Sequence, residues 1–203
     1  MVAVRGSHLL NPQDFVIEQW CAGLKLAEQT EKSLIDAWYY ARDLMSTHPD
    51  EMKNATLMLQ SGVEMVEILH ELNMDAETLL TAMLFPVVAN KLTDWESLKE
   101  KFGAKITKLL KGVLEMDNIR QLNASHSANA LQVDNVRRML LAMVDDFRCV
   151  IIKLAERITF LRDAEHRCAE EDKVLAAKEC SNIYAPLANR LGIGQLKWEL
   201  EDY

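Results

Sequence analysis

Apolar residues recur along this chain at three- and four-residue spacing almost from end to end, the period of helices that bury one face. Asn11-Pro12 opens a first predicted helix, with Phe15, Trp20 and Leu24 on its apolar side, because proline suits a first helical turn. A second runs from about Glu31 to Leu44 on a stripe of Leu34, Trp38 and Ala41. His48-Pro49-Asp50 breaks the chain, and a third helix covers about Asp50 to Leu72, carrying Leu59, Val63, Val66 and Leu69. Asp75 can cap a fourth, which is predicted to end or kink near Phe85-Pro86, since proline lacks the amide and clashes with the preceding turn. Thr93 and Glu96 form a capping-box pattern for a short helix to Phe102, closed by Gly103. Another helix follows to about Met116, and Gln121 to Ala130 reads as a polar loop.

The next stretch, Val133 to Asp163, is apolar, almost free of breakers and long enough for two helices. It supplies core candidates Val136, Leu140, Met143, Val150, Ile151 and Leu154. Asp145, Asp146, Lys153, Glu156 and Arg157 stand inside it. Unpaired buried charge is costly, so these residues form either a paired network or the remains of a site. Adjacent residues do not face each other on a helix, so Asp145-Asp146 is read as a cap plus a salt bridge, with Arg148 as partner, rather than an acid/base pair.

A charged connector, Glu165 to Asp172, leads to a last long helix to Leu191, kinked at Pro186 and ended by Gly192 and Gly194. Gln195 to Tyr203 starts a further helix with no closing cap, so the chain reads as the front of a longer protein. No strand pattern or internal repeat is visible. The expected fold class is all-α, a multi-helix bundle.

Composition narrows the function. The formal net charge of −8 argues against non-specific nucleic-acid binding, which needs clustered Lys and Arg. No apolar run reaches the ~18 residues of a membrane span, and MVAVRGSHLL is not a secretory signal. Cys21, Cys149, Cys168 and Cys180 lack C-x-x-C spacing and are expected as free thiols in a reducing cytosol. A cytoplasmic protein follows. His8, His48, His70, His126 and His166 show no spacing that suggests a metal site.

Two long segments point, in the right order, to one family. RMLLAMVDDFRCVIIKLAER, residues 138–157, resembles the hydrolase-type region of the RelA/SpoT family, which makes and breaks the alarmone (p)ppGpp. IYAPLANRLGIGQLKWELEDY, Ile183 to Tyr203, resembles the run that leaves this region for the family's synthetase domain. The resemblance covers about Gly62 to Tyr203, and the opening MVAVR and the segment GVEMVEIL add to it on the synthetase side of the family.

The resemblance implies an HD-class domain whose active members bind one Mn²⁺ through a His, an adjacent His-Asp pair and a distant Asp. A metal that activates water needs about three or four such fixed ligands and an open position. Carried onto this chain, the upstream His falls at or beside Ser61, and the His-Asp pair on Phe85 and Pro86. The distant Asp falls on Glu156, within Lys153-Leu154-Ala155-Glu156-Arg157. The family's catalytic Glu-Asp falls on Ala89-Asn90, and the amide it uses on the nucleotide falls on Phe160. Its basic, Gly-containing loop is not recognisable in Met52 to Gln60. A lone carboxylate does not hold a transition metal against water. Glu156 is therefore expected to pair with Lys153, Arg157 or another cation, and Phe85 and Phe160 to fill the former cavity.

The implied organisation is a degenerate hydrolase-like HD domain over residues 1–192, with 193–203 starting the connection to a synthetase domain. The implied role is regulation within a protein that transfers pyrophosphate from ATP to the 3′-hydroxyl of GTP or GDP in the stringent response. No catalysis, metal or cofactor is expected in this chain. Its expected partners are its own synthetase domain and a regulatory protein, with no direct nucleic acid and no membrane. Two rivals stand beside this reading. An active Mn-dependent (p)ppGpp 3′-pyrophosphohydrolase would need His-Asp at positions 85 and 86. An unrelated helical interaction or dimerisation module would not continue into a nucleotide-binding domain.

Overall fold

The computed structural model describes residues 15–47, 52–124, 146–167 and 170–179. These residues form eight helices and no strand, so the chain is all-α. They fall into two compact units, one within residues 8–111 and one within 112–203. Several expectations lie outside the described residues: the Pro12 turn, the core positions Val136, Leu140 and Met143, Asp145, and the break at Pro186 and Gly192.

In the first unit, α1 (Ile17–Leu24) and α2 (Glu28–Ser46) lead to α3 (Met52–Glu71), α4 (Ala76–Ala89) and α5 (Trp95–Phe102). Leu34, Trp38 and Ala41 are buried on α2 as their spacing predicts, joined by Ala37 and Met45. On α1 the buried positions are Ile17 and Cys21, whereas Phe15, Trp20 and Leu24 are half-buried. The displacement has a polar cause: the Trp20 indole donates to Glu67 Oε1 at 2.8 Å, which keeps the ring at the margin of the core.

Helix α4 packs against α2 and α3. Every residue from Thr78 to Val88 except Leu80 is buried, the pattern of a helix with no solvent face. Asp75 caps it as expected, accepting from the Thr78 amide at 2.9 Å. The helix does not end at Pro86; it continues to Ala89. A proline inside a helix costs about 3 kcal/mol. Burying Phe85, Val87 and Val88 offsets that, at about 2 kcal/mol for each fully buried side chain.

The end of α4 is a left-handed turn. The Lys91 amide donates to Val88 O at 3.1 Å and the Leu92 amide to Val87 O at 3.0 Å, with Lys91 at φ 57°. The next helix is capped by Asp94, not Thr93: Asp94 Oδ1 accepts from the Ser97 amide at 2.8 Å. The Thr93 hydroxyl is engaged with the Tyr40 hydroxyl at 2.7 Å, which ties α2 to this turn. Gly103 closes α5 at φ 93°.

Helix α6 (Ala104–Ala124) runs well past Met116, so Gln121 to Ala124 is helical rather than loop. The second unit holds the part of α6 from residue 112 on, together with α7 (Arg148–Arg167) and α8 (Glu170–Glu179), which pack on each other. Asp146 opens α7 as the sequence predicts. Its Oδ1 accepts from the Arg148 amide at 3.0 Å, and its carboxylate pairs with the Arg148 guanidinium at 2.6 Å. From Cys149 to Leu161 every residue is buried except Glu156 and Phe160. Cys21 and Cys149 are free thiols, and burial above all pushes both up to about 11, so they stay protonated at neutral pH.

Two outcomes follow. Leu154 is fully buried, so Leu154→Ala should lower unfolding free energy by ~2–5 kcal/mol in urea denaturation, and a loss under ~1 kcal/mol would contradict its place in the core. Lys91 holds a left-handed conformation that costs a side chain-bearing residue about 1–2 kcal/mol, so Lys91→Gly should raise the denaturation midpoint; a lower midpoint would argue against that turn.

Candidate functional site

Helices α3 and α4 bring together the positions that the family resemblance marks in the first unit. Gly62 permits their close approach: a Cβ there would lie 3.3 Å from Met83 O and 3.6 Å from Pro86 Cγ. Ser61 precedes this contact and is half-buried. Phe85 is only 4% exposed, and Pro86 is buried beside it. The site positions on these helices thus present a hydroxyl, a phenyl ring and a pyrrolidine ring. Only the first has a lone pair to offer a metal, and a neutral serine is a poor ligand without carboxylates or imidazoles around it.

Ala89 and Asn90 are exposed at the end of α4. Asn90 has a structural task. Its Nδ2 donates to Pro86 O at 2.7 Å, and its backbone amide donates to the same carbonyl at 3.2 Å. The side chain closes a helix end and supplies no acid or base.

The α7 positions are charged. Lys153 is a fully buried lysine, 1% exposed, and its Nζ lies 3.0 Å from Glu156 Oε2. Arg157 grips the same carboxylate with two donors, Nε to Oε2 at 2.6 Å and Nη2 to Oε1 at 2.5 Å. The expected pairing of Glu156 is therefore present with both cations at once. Burial pushes the Glu156 carboxyl up, but Lys153 and then Arg157 outweigh it and pull it down to about 2. Phe160 does not disappear into the core. It stays half-buried, and the Arg157 guanidinium carbon stands 4.6 Å from its ring centroid.

The sequence reading passed over one polar pair. Gln60 and Glu64, one turn apart on α3, are both buried, and Gln60 Nε2 donates to Glu64 Oε1 at 2.7 Å. The available signal was two polar residues at i and i+4 amid the apolar run of Leu59 to Leu69. Among the described residues, no group of three or more His, Cys, Asp or Glu could hold a metal ion. Taken unit by unit, the side chains at the marked positions do not fit the Mn²⁺ that the resemblance implies.

Comparisons with known proteins bear on what this arrangement descends from. A GTP pyrophosphokinase of Haemophilus influenzae is 97% identical to the whole of this chain, which spans 27% of that relative. One from Escherichia coli K12 is 53% identical over the whole chain, again across 27% of the relative. One from Myxococcus xanthus is 39% identical over 74% of this chain. The chain thus spans about a quarter of the length of the relatives it matches, in keeping with the RelA/SpoT resemblance. The family profile described as an HD domain matches residues 37–194, more than three quarters of the sequence, and this helical chain, with the positions just described on α3, α4 and α7, belongs to the HD domain family.

Proposed function

We propose that this chain is a hydrolase-like HD domain that has lost its metal chemistry and serves as a regulatory body within a longer GTP pyrophosphokinase. The observation that carries the reading is at Phe85-Pro86. Where an active domain of this type presents His and Asp, α4 continues as a buried apolar helix. Ala89 and Asn90 supply no acid, and Glu156 is bound by two cations. The longer protein would move pyrophosphate from ATP to the 3′-hydroxyl of GTP or GDP with residues beyond this chain. The partner that fits best is the synthetase domain, joined through the segment after Ile183.

No described helix is long and apolar enough to cross a membrane. Together with the free thiols Cys21 and Cys149, this supports a cytoplasmic setting.

Calorimetric titration with Mn²⁺, run beside a pyrophosphate-release assay on purified (p)ppGpp, tests the loss of chemistry. Neither one-to-one micromolar binding nor turnover should appear. Phe85→His with Pro86→Asp should still fail to restore turnover, because Ser61, Ala89 and Asn90 remain unsuited and a metal site needs its whole ligand set and its supports. For regulation, the longer protein's pyrophosphate transfer should change when residues 1–203 are removed. Turnover in the unmodified chain would promote the hydrolase alternative, and unchanged transfer would remove the regulatory role.

A further inference from the structure

We infer that Lys153 and Arg157 occupy, around Glu156, the place that a divalent cation takes beside a metal-binding carboxylate, with Phe160 holding the Arg157 guanidinium there. The inference rests on the metal-free reading given above and deepens it. It explains why the surviving carboxylate is kept at all.

Three observations on one helix carry it. First, both oxygens of Glu156 are engaged. Oε2 meets Lys153 Nζ at 3.0 Å and Arg157 Nε at 2.6 Å, while Oε1 meets Arg157 Nη2 at 2.5 Å. An entering metal would have to displace a bidentate guanidinium and stand beside an ammonium of like sign.

Second, the cations are built into the core. The Lys153 and Arg157 side chains are 1% and 5% exposed, whereas Glu156 keeps 15%. Their neighbours Ile152, Leu154, Ala155 and Ile158 are all buried. Solvent cannot replace the carboxylate as counter-charge without opening that packing.

Third, Phe160 shares a face with Glu156, one turn on, and these two are the residues between Cys149 and Leu161 that reach the surface. The Arg157 guanidinium carbon stands 4.6 Å from the ring centroid, a cation–π distance that favours the guanidinium's place beside Glu156. The Thr159 hydroxyl turns back on Ala155 O at 2.8 Å and Glu156 O at 3.0 Å, so it does not compete for the carboxylate. The phenyl ring at position 160 therefore positions the arginine that captures the remaining acid.

Thermal unfolding of the full 203-residue chain tests this. The Tm of the unmodified chain should be the same in EDTA and in millimolar Mn²⁺. Glu156→Gln keeps the shape but takes a counter-charge away from two buried cations, and should lower Tm by roughly 10 °C. Glu156→Asp keeps the charge on a shorter stem and should lose less than half as much. The exposed control Glu100→Gln should stay within about 2 °C of the parent.

A Tm raised several degrees by Mn²⁺ in the unmodified chain would overturn the inference. So would Glu156→Gln proving as silent as the control, or Glu156→Asp proving the more damaging change. If Glu156→Gln does not fold, the metal arm on the unmodified chain and Glu156→Asp still decide. The two readings fail differently: Mn²⁺ binding or turnover of (p)ppGpp sinks the proposed function and this inference with it, whereas a silent Glu156→Gln in a chain that neither binds Mn²⁺ nor turns over (p)ppGpp sinks only this inference.

Discussion

A carboxylate set into a buried helix must be neutralised by something, and in α7 that requirement governs the surrounding residues. Lys153 and Arg157 are buried on the same helix as Glu156 and close on it from either side. Replacing a buried ion pair with apolar residues is often neutral, but removing one member alone typically costs 3–5 kcal/mol. Removing Glu156 alone would therefore cost more than its own contacts, because two buried cations lean on it.

Helix α4 shows the opposite resolution. Its buried positions carry no charge at all, and Phe85, Pro86, Val87 and Val88 form a continuous apolar run. Gly62 lets α3 approach the backbone of α4 at Met83. That closeness favours packing and leaves little tolerance for a larger side chain at position 62. The two helices thus differ in what fills the marked positions, apolar packing on α4 and ion pairing on α7.

Much of this was legible in the sequence because it depends on local chemistry. The helical period, the Asp75 cap, the Gly103 stop and the Asp146–Arg148 pair each require residues only a few positions apart. The pairing of Glu156 was legible for the same reason, since its cations stand three residues before it and one after. What failed depended on tertiary context. At Phe85-Pro86 the sequence predicts an end or a kink; the helix does not end there, because burial on either side carries α4 on to Ala89. Thr93 was read as a cap, but a tyrosine 53 residues away takes its hydroxyl and Asp94 does the capping. The polar stretch from Gln121 was read as loop, although helix α6 extends to Ala124. The half-buried Phe160 ring also stands 4.6 Å from the Arg157 guanidinium carbon, a contact that the helical pattern alone does not foretell.

Family membership and site chemistry lead in different directions here. The chain belongs to the HD domain family, and its relatives are named GTP pyrophosphokinase, while the marked position on α7 is held by an ion-pair network. The central claim is that Glu156 is saturated by protein cations. Anomalous diffraction at the manganese edge, from crystals of this chain grown in Mn²⁺, tests it most directly. The density should show Lys153 Nζ and the Arg157 guanidinium on Glu156, as in the 3.0 Å and 2.6 Å contacts described, with no anomalous peak at the carboxylate. A manganese peak bonded to Glu156, with either cation swung away, would contradict it.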